Sequence, residues 1–175
     1  PLSLAESHCL LQELSENKSF ALGKSIRDYI LHKIQWFIPF YIQLAVQVIS
    51  DLCPGIDPGP ASPKRKITQK MVDEAFKRML DLRNCFEHWQ TRLRKAYKKE
   101  DYNFAKEFLN LVSTNENIEK KEILNLAQKF NLPDSYKDIV NSLVYDGYIN
   151  NNDDPAVYRF NSPLLMMWWR KNVAF

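Results

Sequence analysis

The sequence predicts a mainly α-helical protein, a helical bundle followed by a winged helix-turn-helix with a small β-hairpin. Three observations carry this expectation. Apolar residues recur at three- and four-residue spacing through most of the 175 residues, the period of a helix with one buried face. The C-terminal stretch runs from Leu143-Val144-Tyr145-Asp146-Gly147-Tyr148-Ile149 to Ser162-Pro163-Leu164-Leu165-Met166-Met167-Trp168-Trp169-Arg170. It reads as a helix end, a short hairpin and a last helix bearing two tryptophans. The composition is 45% hydrophobic and 13% aromatic with only 4 glycines, which suits a packed helical core and speaks against a glycine-rich phosphate loop.

The first helix is expected over residues 3–16, with Ser3 as N-cap and Leu4, Leu10, Leu11 and Leu14 as its apolar stripe. Asn17-Lys18-Ser19 ends it. A second fits Gly23 to Gln35, with Ile26, Ile30 and Ile34 recurring at helical spacing. A third starts near Pro39, because proline suits a first helical turn. Its Phe40, Ile42, Leu44, Val46, Val48, Ile49 and Leu52 make it apolar on most sides, so it is expected to be the best-buried helix. Residues 1–52 form the first module on this reading.

Cys53 to Pro63 holds Pro54, Pro58, Pro60 and Pro63 with two glycines, so residues 53–66 read as a linker that closes on the solvated cluster Lys64-Arg65-Lys66. Thr68 is the expected N-cap of the next helix, with Met71, Val72, Ala75, Phe76, Met79 and Leu80 on one face. A further helix from Asn84 towards Lys99 places Phe86, Trp89, Leu93 and Tyr97 at helical spacing, and residues 67–100 together read as a helical connector.

Residues 101–175 are the expected winged-helix domain. Asp101 opens its first helix, which runs through Val112 and turns Phe104, Phe108, Leu111 and Val112 inward. The second spans Glu119 to Phe130. After the turn Asn131-Leu132-Pro133, the third begins with Asp134 as an acidic N-cap and ends near Tyr145, where Gly147 can take a left-handed conformation. Tyr148-Ile149-Asn150 and Val157-Tyr158-Arg159-Phe160 are the wing strands, joined by Asn151-Asn152-Asp153-Asp154-Pro155. Ser162-Pro163 caps the last helix. One of Trp168 and Trp169 is expected in the core and the other partly exposed, because neighbouring helical residues point about 100° apart.

The net charge of +3 is unevenly spread: residues 53–100 carry +6, whereas residues 1–52 and 101–175 carry −1 and −2. Attraction to polyanions is therefore expected from the middle of the chain. Cys9, Cys53 and Cys85 are scattered and form no metal-binding spacing, so they read as buried reduced thiols of a cytoplasmic protein. No run of about 20 apolar residues suggests a membrane span. His8, His32 and His88 are too far apart to suggest a catalytic constellation, and the G-x-x-x-x-G-K-[ST] phosphate cradle is missing. Catalytic residues, a metal site and a bound cofactor are accordingly not expected in this segment.

Three segments resemble a known family. Pro1-Leu2-Ser3-Leu4-Ala5-Glu6 is similar to the start of the helical lid that follows the nucleotide-binding core of P-loop ATPases of the AAA+/STAND kind, in particular the archaeal-type ATPases. Trp36-Phe37-Ile38-Pro39-Phe40-Tyr41-Ile42-Gln43-Leu44 resembles a later element of that lid. Asp146-Gly147-Tyr148, taken with Tyr158-Arg159-Phe160-Asn161-Ser162-Pro163-Leu164-Leu165, resembles the close of the family's winged helix. Phe86-Glu87-His88-Trp89 matches a segment between the two modules. The resemblance implies a non-catalytic regulatory and binding region of a P-loop ATPase. Its core, with ATP and Mg, would lie upstream of Pro1, and Pro39 and Gln43 would stand near the nucleotide. The winged helix would contact a protein partner, double-stranded DNA or the ATPase core. The alternative is a stand-alone DNA-binding transcription regulator. Candidate contacts are Lys137, Asn141 and Arg159 on the third helix and wing, and Arg92, Arg94, Lys95, Lys98 and Lys99 as a second basic surface. The acidic wing residues Asp153 and Asp154 oppose the phosphate contacts that dominate DNA affinity.

Overall fold

A computed structural model describes residues 1–53 and 64–174, with Arg83 and Asn84 described by their backbone alone. The chain is mainly helical, and its contacts divide it into two compact units, Pro1–Leu82 and Arg83–Phe175. This division differs from the expected one. The helix after Thr68 packs within the first unit and the helix bearing Trp89 within the second, so residues 67–100 are not a separate connector. Residues 54–63 of the expected linker lie outside the described residues.

The first unit holds α1 (Leu4–Glu16), β1 (Phe20–Ala21), α2 (Lys24–Ile34), α3 (Pro39–Asp51), β2 (Arg65–Lys66) and α4 (Gln69–Asp81). Ser3 starts α1 through a capping box. Its hydroxyl accepts from the Glu6 N–H, and the Glu6 carboxylate accepts from the Ser3 N–H at 2.8 Å. The Ser3 N–H and the Ser3 hydroxyl both donate to the Glu6 carboxylate, and these bonds hold its carboxyl below its ordinary pKa. Helix α3 buries Tyr41, Ile42, Ala45, Val46, Val48 and Ile49 and packs against α1, α2 and α4, which is why its sequence is apolar on more than one side. Thr68 caps α4, and Val72, Ala75, Phe76 and Met79 form the buried stripe. Between α2 and α4, Asp73 Oδ1 sits 2.8 Å from both Lys33 Nζ and the Tyr29 hydroxyl, and these two donors hold its carboxyl below the usual range. Lys64-Arg65-Lys66 is exposed as expected, but it belongs to this unit: Arg65 and Lys66 pair in parallel with Phe20 and Ala21.

The second unit holds α5 (Arg83–Ala96), α6 (Lys99–Asn115), β3 (Ile118–Glu119), α7 (Lys120–Lys129), α8 (Tyr136–Tyr145), β4 (Ile149–Asn150), β5 (Val157–Phe160) and α9 (Pro163–Asn172). Helix α6 is its centre. Phe104, Ala105, Phe108, Leu109 and Val112 are buried on it, and it meets α5, α7, α8, α9, β3 and β5. Its first turn carries Glu100 and Asp101, acidic residues that favour a helix N-terminus. The sheet order is β3–β5–β4, with both pairings antiparallel.

Three local expectations are corrected. Asp134 is not the N-cap of α8: residues 133–135 form a turn, and Ser135 already has near-helical angles (φ −95°, ψ −13°) and makes no side-chain cap. The cysteines do not share one environment, since Cys9 is exposed, Cys85 half-buried and Cys53 buried, with burial raising the pKa of the latter two thiols. Trp168 and Trp169 are both buried, at 1% and 0% exposure. The angle between neighbouring residues does not expose one of them, because α9 is covered on two sides. Phe86 of α5 stacks on Trp168 at 5.7 Å, while Tyr148 and Phe160 lie 6.4 and 6.3 Å from Trp169. The Trp169 indole also donates to Asn110 Oδ1 on α6 at 3.0 Å.

Gly147 follows α8 at φ 83°, and the next residue's N–H returns to the Leu143 carbonyl at 3.0 Å. This left-handed position directs the chain into β4 and buries Tyr148. Gly147→Ala is expected to lower the stability of the second unit by about 1–2 kcal/mol, the cost of a Cβ in that conformation, as read by urea denaturation. A neutral result would show that the turn relaxes to negative φ.

Candidate functional site

Helix α8 presents one face to its own unit and another to solvent. Ile139, Val140 and Leu143 are buried, whereas Lys137, Asn141 and Tyr145 recur one turn apart on the exposed side, and Tyr145 is 92% exposed. Lys137 and Asn141 also line a cleft of about 420 Å³ with Lys120, Ile123, Tyr136, Val140 and Tyr158. Helices α7 and α8 both start beside it, since Lys120 is the first residue of one and Tyr136 of the other. Two ammonium groups, two phenols and an amide therefore surround an apolar floor, a set able to hold an anionic group.

The structure brings Lys137 and Asn141 together in one cleft and places Arg159 elsewhere. Along β5, Phe160 is buried and Tyr158 half-buried, while Arg159 between them is exposed, as strand alternation requires. Tyr158 reaches the cleft; Arg159 pairs with Asp153 and lines a separate recess with Glu116, Asn151 and Asp154. The β4–β5 end is thus acidic, with Arg159 already engaged.

The second basic surface is only partly available. Arg92 Nη2 lies 3.3 Å from Asp146 at the end of α8 and its guanidinium covers Trp89 at 5.4 Å. Arg94 lies over Tyr102 at 6.0 Å. Lys95, Lys98 and Lys99 are exposed where α5 passes into α6. Near the same helix junction Tyr97 is half-buried, and burial raises its pKa. Tyr148 donates to the Trp89 carbonyl at 2.7 Å, and burial first of all pushes its pKa up. Burial, with Arg92 nearby, lowers that of His88.

Pro39 and Gln43 stand one turn apart on the exposed side of α3 in the first unit. Gln43 lines a shallow groove of about 370 Å³ with Leu14, Lys18, Phe40, Leu44, Val46 and Gln47. His8 pairs with Asp28 at 3.1 Å, far in sequence from the other histidines. Among the described residues no group of three or more His, Cys, Asp or Glu is placed to hold a metal, and no helix is long and apolar enough to cross a membrane.

Lys120 and Tyr158 were not among the residues that sequence reasoning selected. Lys120 had one usable signal, its place at the start of the helix before the turn. Tyr158 had none, because only the fold sets a strand residue beside two helix starts. No family model, curated protein or solved structure matches the chain.

Proposed function

We propose that the chain is a non-catalytic regulatory and binding region of a P-loop ATPase, with the second unit a winged helix that uses α8 and its cleft to contact a protein partner. The observation that supports the binding part is the order α6, β3, α7, α8, β4, β5 with the sheet β3–β5–β4, an order that suits a helix-turn-helix followed by a hairpin wing. In such a unit the helix after the turn is the reading helix, and here it offers Lys137, Asn141 and the fully presented Tyr145. Exposed tyrosine is a favoured anchor in protein interfaces. The ATPase parentage rests on the resemblance of residues 1–6, 36–44 and 146–165. On that reading residues 1–52 of the first unit are the lid, with Pro39 and Gln43 towards ATP bound by the upstream core, and the ATPase core is itself a candidate partner.

Double-stranded DNA is the second reading, and one observation favours it. Lysine and asparagine one turn apart on an exposed helix are side chains that can contact phosphate and read adenine. Against it, the wing exposes Asp153 and Asp154, and Arg159 and Arg92 are both engaged by carboxylates.

Fluorescence anisotropy of labelled duplex DNA across a salt series separates the two. The expected result is affinity no tighter than about 10⁻⁶ M at physiological salt, the upper end of non-specific binding. Magnesium ATP hydrolysis by the same sample is expected to stay at background. Nanomolar duplex binding that weakens steeply with salt and is lost in Lys137→Glu would replace the protein-partner reading with the DNA one.

A further inference from the structure

The cleft between α7, α8 and β5 has a charge balance that its surroundings do not share. None of its seven lining residues is a carboxylate. The carboxylates on the adjoining elements are mostly engaged. Glu119 and Glu122 close the first turn of α7 on backbone N–H groups. Asp153 pairs with Arg159, Asp154 accepts from the Ala156 N–H at 2.8 Å, and Asp146 pairs with Arg92. Asp134 and Asp138 lie exposed at the start of α8. Among the described residues neither Lys120 nor Lys137 stands in an ion pair.

We infer that this cleft docks an acidic segment of a protein partner. Its carboxylates would meet Lys120 and Lys137, with the Tyr136 and Tyr158 hydroxyls and the Asn141 amide as further donors, and an aliphatic side chain would cover Ile123 and Val140. The inference rests on the reading of the second unit as a partner-binding winged helix. Charge complementarity selects the occupant. Duplex DNA lays one charge per about 1.7 Å along its whole length, which would set phosphates against Asp134, Asp138, Asp153 and Asp154. A peptide can confine its charge to the recess. The volume of about 420 Å³ admits a few side chains and falls within the roughly 300–1,000 Å³ of ligand sites. The mixed lining asks for a ligand with both charge and apolar surface, which an isolated inorganic anion lacks.

The test is a titration of the isotopically labelled full chain, followed by amide chemical shifts. The probes are a short synthetic peptide of alternating glutamate and leucine, its glutamine-for-glutamate counterpart, and a duplex DNA. The expected result is shifts at Lys120, Ile123, Lys137, Asn141 and Tyr158 with the glutamate peptide and none with the glutamine one. Combined Lys120→Glu and Lys137→Glu substitution should weaken that peptide about tenfold or more, because two charge-assisted contacts become repulsive. Arginine at both positions should retain it, and unchanged shifts elsewhere in the variants verify folding. Silence with the glutamate peptide, or equal shifts with the glutamine one, overturns the inference. Shifts confined to Lys95, Lys98 and Lys99 overturn the cleft as the site but keep the partner-binding reading. Duplex DNA moving the cleft amides while the peptide is silent overturns both.

Discussion

Trp169→Ala lowers the stability of the second unit by about 3–5 kcal/mol in urea denaturation followed by circular dichroism. The expectation follows from what the indole touches. Trp169 is fully buried, meets Tyr148 and Phe160, and donates to Asn110 on α6. Truncation removes the apolar contacts of a large ring, leaves a cavity where α9 meets α6 and the hairpin, and strips Asn110 of its donor. Globular domains are stable by about 5–15 kcal/mol, so the variant should be near the limit of folding at room temperature. Trp169→Phe refills most of the volume and should cost less, on the order of 1–3 kcal/mol, with the Asn110 acceptor left unpaired. An alanine variant as stable as an exposed substitution, within about 0.5 kcal/mol, would contradict the burial of both tryptophans.

In the first unit the corresponding effect belongs to α3. Ile49→Ala is expected to cost about 2–5 kcal/mol, read as a loss of amide-exchange protection in α1, α3 and α4. Ile49 is fully buried on the helix that packs against α1, α2 and α4, so a cavity there has structured walls that close on it only partly. The exposed Gln43 on the same helix provides the comparison: Gln43→Ala should change stability by no more than about 0.5 kcal/mol. Equal losses at both positions would mean that α3 is not the central helix of its unit.

The helix starts were legible because a cap is a local device. Ser3, Thr68 and Ser162 each bond a backbone N–H three residues on, so the signal and its effect lie within one turn. Gly147 was legible for a similar reason, since glycine takes the left-handed conformation after a helix without the steric cost of a Cβ. Asp134 was misread because the same acidic residue suits a turn as well as a cap, and Pro133 to Ser135 form the turn. The strands β1, β2 and β3 were not legible. Each is two residues long, too short for an alternating pattern, and exists only through a partner more than thirty residues away. Of the candidate site, Lys137 and Asn141 could be found from helical spacing alone. Lys120 and Tyr158 join them from the start of another helix and from a strand.

By itself, then, the sequence determined that the chain is mainly helical, where most helices begin and which faces they bury, because hydrophobic period, caps and turns act over a few residues. The tertiary structure alone decided that the boundary between units falls at residues 82 and 83, that both tryptophans are buried, and that Arg159 pairs with Asp153 while Lys120 and Lys137 share a cleft without a carboxylate in its lining. Those outcomes depend on contacts between residues far apart in the chain, and a charge has no fixed consequence until the fold sets its neighbours.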